Sequence, residues 1–270
     1  MGARQTSRPQ RSVDAKDYQH VPRPITALAK SFANGAHVAP HSHPRAQFLY
    51  AVDGVMRVTT TDGAWVVPPS HAVWIPPRVE HEIRMDGNVA MRTLYIDPGA
   101  APWLPDVCTV VAVTPLVREL ILAAVEEPVA YPLGGRAEAV MQLLLHELQR
   151  LATVPLRIPL PHERRLAALC RALLDNPAAD DTLDDWAIKV GASARTLARL
   201  FRREAGLSFG AWRQQVRLAE ALSRLALGEP VATVARQLGY ASPSAFTAMF
   251  RRALGIPPTQ YIARNLMRAR

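Results

Sequence analysis

Six histidines precede residue 100, and two of them, His41 and His43, stand at i and i+2, a spacing suited to chemistry. Residues two apart on one strand point to the same face. An imidazole from a neighbouring strand would complete a three-nitrogen facial set, with Gln47 or water as a further ligand. Such a set suits a divalent first-row metal and leaves a position open for an effector or substrate. The same imidazoles can instead line a polar pocket or sit in satisfied hydrogen bonds. His37 and His71 fall outside the pattern and read as ordinary surface or pocket residues. Arg45 reads as a solvated arginine, with an anionic effector as its other use.

A second constellation occupies the last hundred residues, and it occurs twice. Leu183, Trp186, Ala187, Val190 and Gly191 reappear as Val231, Val234, Ala235, Leu238 and Gly239. After one extra residue in the second turn, Ser193, Leu197, Leu200 and Phe201 correspond to Ser242, Phe246, Met249 and Phe250. Two copies of one helix–turn–helix unit account for this. In each, the glycine takes the turn and the serine caps the following helix. With the apolar stripe of that helix turned inward, its opposite face is free. On the first copy it carries Arg195, Thr196 and Arg199, with Arg202 and Arg203 near the end; in the second, Arg251 corresponds to Arg202. Guanidinium groups near a helix N-terminus suit guanine readout in the major groove, and later arginines suit phosphates. A helical bundle with a solvated basic face is the bland alternative, and the repetition argues against it.

Charge points the same way. The chain carries a net +9, and residues 161–270 hold 17 Lys and Arg against 9 Asp and Glu, whereas residues 1–160 hold 15 against 14. A basic excess confined to one part of the chain favours a polyanionic partner there. With 49% hydrophobic and 20% charged residues, wholesale disorder is excluded. Cys108 and Cys170 form no CxxC pair, which argues against a zinc finger or disulfide framework. No apolar run approaches the ~18 residues of a membrane span, so no membrane partner and a cytoplasmic location are expected.

The elements that must position these residues follow from the patterning. Residues 20–100 alternate short apolar runs with Asp53-Gly54, Asp62-Gly63, Pro68-Pro69, Pro76-Pro77 and Asp86-Gly87, the punctuation of a sandwich or small barrel. From 114 to 152 the period becomes helical, with two helices separated by Pro128, Pro132 and Gly134-Gly135. Pro155, Pro159 and Pro161 mark an extended linker. Residues Phe209 to Leu227 form one long helical pattern of about 20 residues, spanning ~30 Å. That is close to the ~34 Å between successive major grooves on one face of DNA.

The segment Gly239-Tyr-Ala-Ser242-Pro-Ser-Ala-Phe246-Thr-Ala-Met-Phe250-Arg-Arg-Ala-Leu-Gly255-Ile-Pro-Pro258-Thr-Gln-Tyr261 resembles the signature of AraC-type transcription regulators. The preceding Ser193-to-Gly206 stretch is similar to the first half of the same domain. The resemblance implies a seven-helix domain with recognition helices near 193–204 and 242–253; by position it places Arg195 and Arg199 at base-reading sites and Ser244, Thr247 and Ala248 at exposed ones. Ala248 is too short to reach a base, so the second copy is expected mainly to grip phosphates. Ile262 departs from the basic residue that often follows this tyrosine. The spacing of Gly35, His41, His43, Gln47 and Gly54, then Pro76 and His81, resembles the two cupin motifs, with Gln47 in place of the usual glutamate, Arg78 of a glycine and Met85 of an asparagine. This implies a cupin sensor domain attached to the regulator, with His81 as the third imidazole beside His41 and His43 and Gln47 as the further ligand.

The expected fold is therefore α+β and multidomain. It comprises a disordered basic arm at 1–18, a cupin β-barrel sensor at 19–105, a helical connector and possible dimerisation element at 106–154, a linker at 155–161 and a tandem helix-turn-helix domain at 162–265. The expected function is sequence-specific binding of double-stranded DNA, answering to a small molecule or divalent metal at His41, His43, Gln47 and His81, without catalysis. The competing expectation is a cupin metalloenzyme, a dioxygenase or isomerase, with a helical accessory domain. That reading requires bound metal with an open coordination site.

Overall fold

The computed structural model of the chain describes residues 12–154 and 156–266. The turn formers between residues 20 and 100 cut the chain into short strands. These are β1 (Ile25–Phe32), β2 (His37–His41), β3 (Ala46–Ala51), β4 (Val55–Thr59), β5 (Gly63–Val67), β6 (His71–Ile75), β7 (His81–Asp86) and β8 (Val89–Ile96). Three more follow as β9 (Thr109–Ala112), β10 (Thr153–Val154) and β11 (Arg157–Pro159). All pair antiparallel, in two sheets ordered β1-β8-β3-β6-β9-β10 and β11-β5-β4-β7-β2.

The expected cupin barrel is not formed. Each sheet is open, with β1 and β10 as the edges of one and β11 and β2 as the edges of the other. Turn spacing and His-x-His spacing set strand length and facing, but closure requires the edges themselves to pair. Here the edges are poor partners: β10 has two residues, β11 has three, and β2 is interrupted by a register shift between Val38 and His41.

The period-2 alternation of each strand decides which layer a residue joins. Leu49, Val73 and Ile75 of the first sheet meet Met56, Val58, Trp65, Ile83 and Met85 of the second in one core. Phe48, Tyr50, Ala72 and Trp74 point the other way and are covered by α1 (Pro115–Ala124) and α2 (Arg136–Leu148). The outer face of the second sheet, through Val55, Val66 and Ile158, is buried against the C-terminal helices. The stack thus runs helices, sheet, sheet, helices. The stretch expected to be a linker contains β11, which pairs with β5, and so ties the C-terminal helices to the sheet; Pro155 lies outside the described residues. Of the expected arm at 1–18, residues 1–11 lie outside the described residues, while Tyr18 is buried against Leu28 and Tyr95.

Beyond residue 163 the chain is helical: α3 (Arg164–Asp175), α4 (Leu183–Val190), α5 (Ala194–Leu200), α6 (Phe209–Ala226), α7 (Val231–Gln237), α8 (Pro243–Leu254) and α9 (Pro258–Leu266). Trp212 and Phe201 are fully buried at the centre of the first half, and Phe246 and Phe250 play the same part in the second. Trp212 also donates its indole N–H to the Pro159 carbonyl (2.8 Å), joining α6 to β11.

Candidate functional site

Each helix-turn-helix unit is built by the same local chemistry. Gly191 ends α4 and Gly239 follows α7, with φ of 66° and 75°, a region costly for residues with a Cβ. At Gly239 a Cβ would also meet the Ala178 carbonyl oxygen at 3.0 Å. Ser193 then caps α5 by accepting the Thr196 N–H (3.1 Å), and Ser242 caps α8 by accepting the Ala245 N–H (3.1 Å). Inside, Leu197, Leu200, Phe246, Met249 and Phe250 are buried.

Arg195 and Arg199 on α5 are exposed, and Thr196 is half-buried with its hydroxyl 2.9 Å from Ser193 Oγ. Arg202 and Arg203 fall not on α5 but on a wide five-residue turn, Phe201–Ala205, that continues it; Arg203 pairs with Glu204 (2.7 Å). On α8, Ser244, Ala248 and Arg251 are exposed and Thr247 is half-buried. Among the described residues, no ion pair or hydrogen bond holds the guanidinium of Arg195, Arg199, Arg202 or Arg251. Between the two units runs α6, whose 18 residues span about 27 Å.

The histidines come together at one end of the space between the sheets. His41 closes β2, His81 opens β7 directly opposite it, and His43 lies in the connection leading to β3 rather than on the strand. Ring centroids are 4.3 Å apart for His41–His81, 4.8 Å for His41–His43 and 5.5 Å for His43–His81. One ligand atom from each falls within 4.8 Å of the others, so the described residues contain a cluster able to hold a metal ion. The Nδ1 atoms of His41 and His81 lie 2.8 Å and 2.9 Å from the carbonyl oxygens of Ala39 and Val79. A carbonyl only accepts, so each Nδ1 carries a proton, which leaves Nε2 as the ring nitrogen that can bind a metal. The Nε2 atoms of His43 and His81 are buried without a hydrogen-bond partner. Burial, reinforced at His43 by the other two histidines, pushes both pKa values down to about 4, so the rings are neutral at pH 7.

Gln47 is buried on β3 and donates its amide N–H to Thr93 Oγ1 (3.1 Å), leaving Oε1 unpartnered. Arg45 differs from its expected solvated role. It is 5% exposed and donates to the carbonyls of Gln19 (2.9 Å) and Val21 (2.5 Å), which makes it a strut for the N-terminal segment. His37 pairs with Glu82 (2.9 Å), and His71 is buried beside Ser70 Oγ (2.8 Å). Arg78 takes a positive φ of 62° in the β6–β7 loop, the position at which the motif spacing would have a glycine.

Sequence reasoning missed a polar junction between the second sheet and α6. Arg57 on β4 donates to Asp86 at the end of β7 (2.6 Å) and to Glu220 on α6 (2.7 Å). Ser223 donates to Asp86 (3.0 Å), and Arg224 donates to Glu220 (2.7 Å). The charges were visible in the sequence, but nothing local pairs residues more than 160 positions apart. β7 therefore carries His81 at one end and this junction at the other.

Two capped helix-turn-helix units with unpaired guanidinium groups on their outer faces define the C-terminal helices as those of a DNA-binding transcription regulator. The chain matches the model of the AraC-like ligand binding domain over residues 24–209 and a helix-turn-helix domain over 186–264, and it belongs to the AraC-type family of regulators. It is 36% identical to the HTH-type transcriptional regulator NimR of Escherichia coli K12, over 83% of this chain and 82% of that protein. It is 39% identical to the HTH-type transcriptional regulator RipA of Corynebacterium glutamicum, over 38% of this chain and 31% of that one. The solved structure of ToxT from Vibrio cholerae covers 89% of this chain and 98% of its own, at 9% identity and a TM-score of 0.38. The curated relatives are regulators rather than enzymes, and the metalloenzyme alternative falls with the barrel. Among the described residues no helix is long and apolar enough to cross a membrane.

Proposed function

We propose that this chain reads specific double-stranded DNA with α5 and α8, and that a small molecule or divalent metal at His41, His43, Gln47 and His81 modulates that binding. The observation carrying the DNA reading is the exposed Arg195 and Arg199 on the capped helix α5, neither of which pairs with any of the described residues. Arg195 and Arg199 face base edges. Ser193, Thr196, Arg202 and Arg203 position the first unit on the backbone, and Ser242, Ser244, Thr247 and Arg251 the second. The DNA-binding domain comprises 162–265, the sensor comprises 19–105, and 106–154 connects them.

The histidine chemistry supports a divalent metal as resident or effector. Three clustered imidazoles, two of them oriented by backbone carbonyls at Nδ1 so that Nε2 is the ligand atom on offer, suit a borderline first-row ion better than an oxygen-seeking one. Nitrogen ligands of a tetrahedral site sit roughly 3.4 Å apart. A cluster spread over as much as 4.8 Å must therefore draw in when the ion binds. Bound there, the ion would supply a Lewis-acidic position for an effector. Leu116, Leu133 and Leu143, 44–63% exposed around α1 and α2, support a homodimer through that face, which light-scattering mass would test. Action on DNA implies a cytoplasmic location.

Fluorescence anisotropy of the full chain with DNA from upstream of neighbouring genes, across KCl concentrations and with or without Zn2+, tests both parts. Tight, salt-dependent binding to a subset of fragments is expected, with affinity altered by the metal. Uniform weak binding to every fragment would reject the specific reading.

A further inference from the structure

A cleft opens between α6 and α8. Arg213, Gln214 and Arg217 of α6 form one side, and Ala245, Ala248 and Arg252 of α8 form the other, with Gly210 and Tyr240 at the ends. Three guanidinium groups face this space and, among the described residues, no carboxylate lines it. Two of them are held in place by backbone carbonyls and aromatic rings, which offer no compensating charge. Arg213 donates to the Asp181 carbonyl (3.1 Å) and stacks over Phe209 (5.0 Å). Arg217 donates to the carbonyls of Pro177 (2.9 Å) and Ala179 (3.0 Å) and stacks over Tyr240 (5.7 Å). Burial, and then the repulsion of Arg213, hold Arg217 below the ordinary arginine range, offset only in part by Tyr240 and Asp180.

Like charges gathered around a cleft are unfavourable until an anion enters. Small residues make the room: Gly210, Ala245 and Ala248 project nothing into the space. Ala248 is the link to the DNA face, because it also borders the shallow depression formed by Ser244, Thr247 and Arg251 on the outer face of α8. DNA laid on that outer face would bring its sugar-phosphate strand to the mouth of the cleft.

We infer that the cleft between α6 and α8 is a phosphodiester site that clamps the DNA strand running between the two recognition helices, with Arg213 and Arg252 as its principal donors. The inference rests on the DNA-binding reading above and assigns residues that reading did not use. It gives the short side chain at Ala248 a purpose: it admits backbone instead of reading a base. It also gives the second unit an affinity role complementary to the specificity role of Arg199.

The test is the salt dependence of binding by the full chain, using a selected DNA duplex and a scrambled duplex. Neutralising one fewer phosphate reduces the slope of log K against log salt by about 0.9. Arg252→Gln is expected to reduce the slope by about that amount, weaken both duplexes alike and leave their affinity ratio within twofold. Arg213→Gln should do the same, with thermal melting as its control because Arg213 also braces the Asp181 loop. Ala248→Glu, which leaves every arginine in place but puts a negative charge in the cleft, should weaken both duplexes at least tenfold. Unchanged slopes in Arg252→Gln and unchanged affinity in Ala248→Glu would overturn the clamp while leaving the DNA reading intact. A wild-type chain without salt-dependent DNA binding would reject the reading itself. Calorimetric titration with inorganic phosphate separates the remaining source: tight uptake without DNA, abolished by Arg252→Gln, would assign the cleft to a free anion and also overturn the clamp.

Discussion

Replacing Arg57 by methionine keeps most of the aliphatic stem and removes the charge that joins the second sheet to α6. Two charge-assisted bonds disappear, 2.6 Å to Asp86 and 2.7 Å to Glu220. Solvent sets the scale: the side chains of Arg57, Asp86 and Glu220 are 35%, 28% and 17% exposed, between a surface pair and a buried one. Exposed pairs contribute about 0.2–1 kcal/mol, and breaking a fully buried pair costs about 3–5 kcal/mol. Neither carboxylate is orphaned, because Ser223 still donates to Asp86 and Arg224 to Glu220. The loss should therefore fall near 2 kcal/mol. Urea titration of the full chain followed by tryptophan fluorescence measures it as a lowered midpoint. Arg57→Lys should recover about half, since one ammonium cannot span both carboxylates. In a double-mutant cycle with Glu220→Gln, a coupling of about 1 kcal/mol is expected. A loss below about 0.5 kcal/mol, or strict additivity in the cycle, would refute the view that this junction fixes α6 to the sheet.

The remaining predictions concern the two sites and the pH response. Arg199→Ala should cost about 1–3 kcal/mol on the preferred duplex and much less on a scrambled one, relaxing preference at one or two base pairs in a binding-site selection. Ser242→Ala removes the cap of α8 and should destabilise the chain by about 1 kcal/mol, read as a lower urea midpoint. His81→Ala should abolish Zn2+ uptake measured by elemental analysis, while His37→Ala, outside the cluster, should leave it unchanged. At Glu220, burial opposes the charge, but the bonds from Arg224 and Arg57 outweigh it and lower the pKa. A folded pKa below the unfolded value of about 4.3 means the stabilisation is complete above that pH and fades as pH falls below it. Urea midpoints of wild type and Glu220→Gln should thus converge as the pH falls below about 4.3.

What could be read from the sequence was what short-range chemistry determines. Gly191, Ser193, Gly239 and Ser242 mark turns and caps that need only their immediate neighbours, and the repeat made the helix-turn-helix pair legible. His41 and His81 could be matched because their strands lie opposite each other in register, yet His43 left the strand after the irregularity in β2. The barrel was misread because the patterning of residues 20–100 reports strand facing, whereas closure depends on the edges β1, β2, β10 and β11. Arg45 looked like a surface charge because its partners are carbonyls, which any sequence supplies. Arg57 and the α6–α8 cleft were invisible for a related reason: their meaning lies in contacts between elements far apart in the chain.

The central claim is that the tandem helix-turn-helix pair reads DNA sequence as one unit, with two helices separated by the 18 residues of α6. Selection of binding sites from a random duplex pool by the full chain tests it most directly. The expected outcome is a motif of two half-sites centred about 10–10.5 base pairs apart, with a stronger base preference in the half bound by α5. A pool that shows no enrichment after repeated rounds, or a single half-site bound as tightly as the pair, would contradict it.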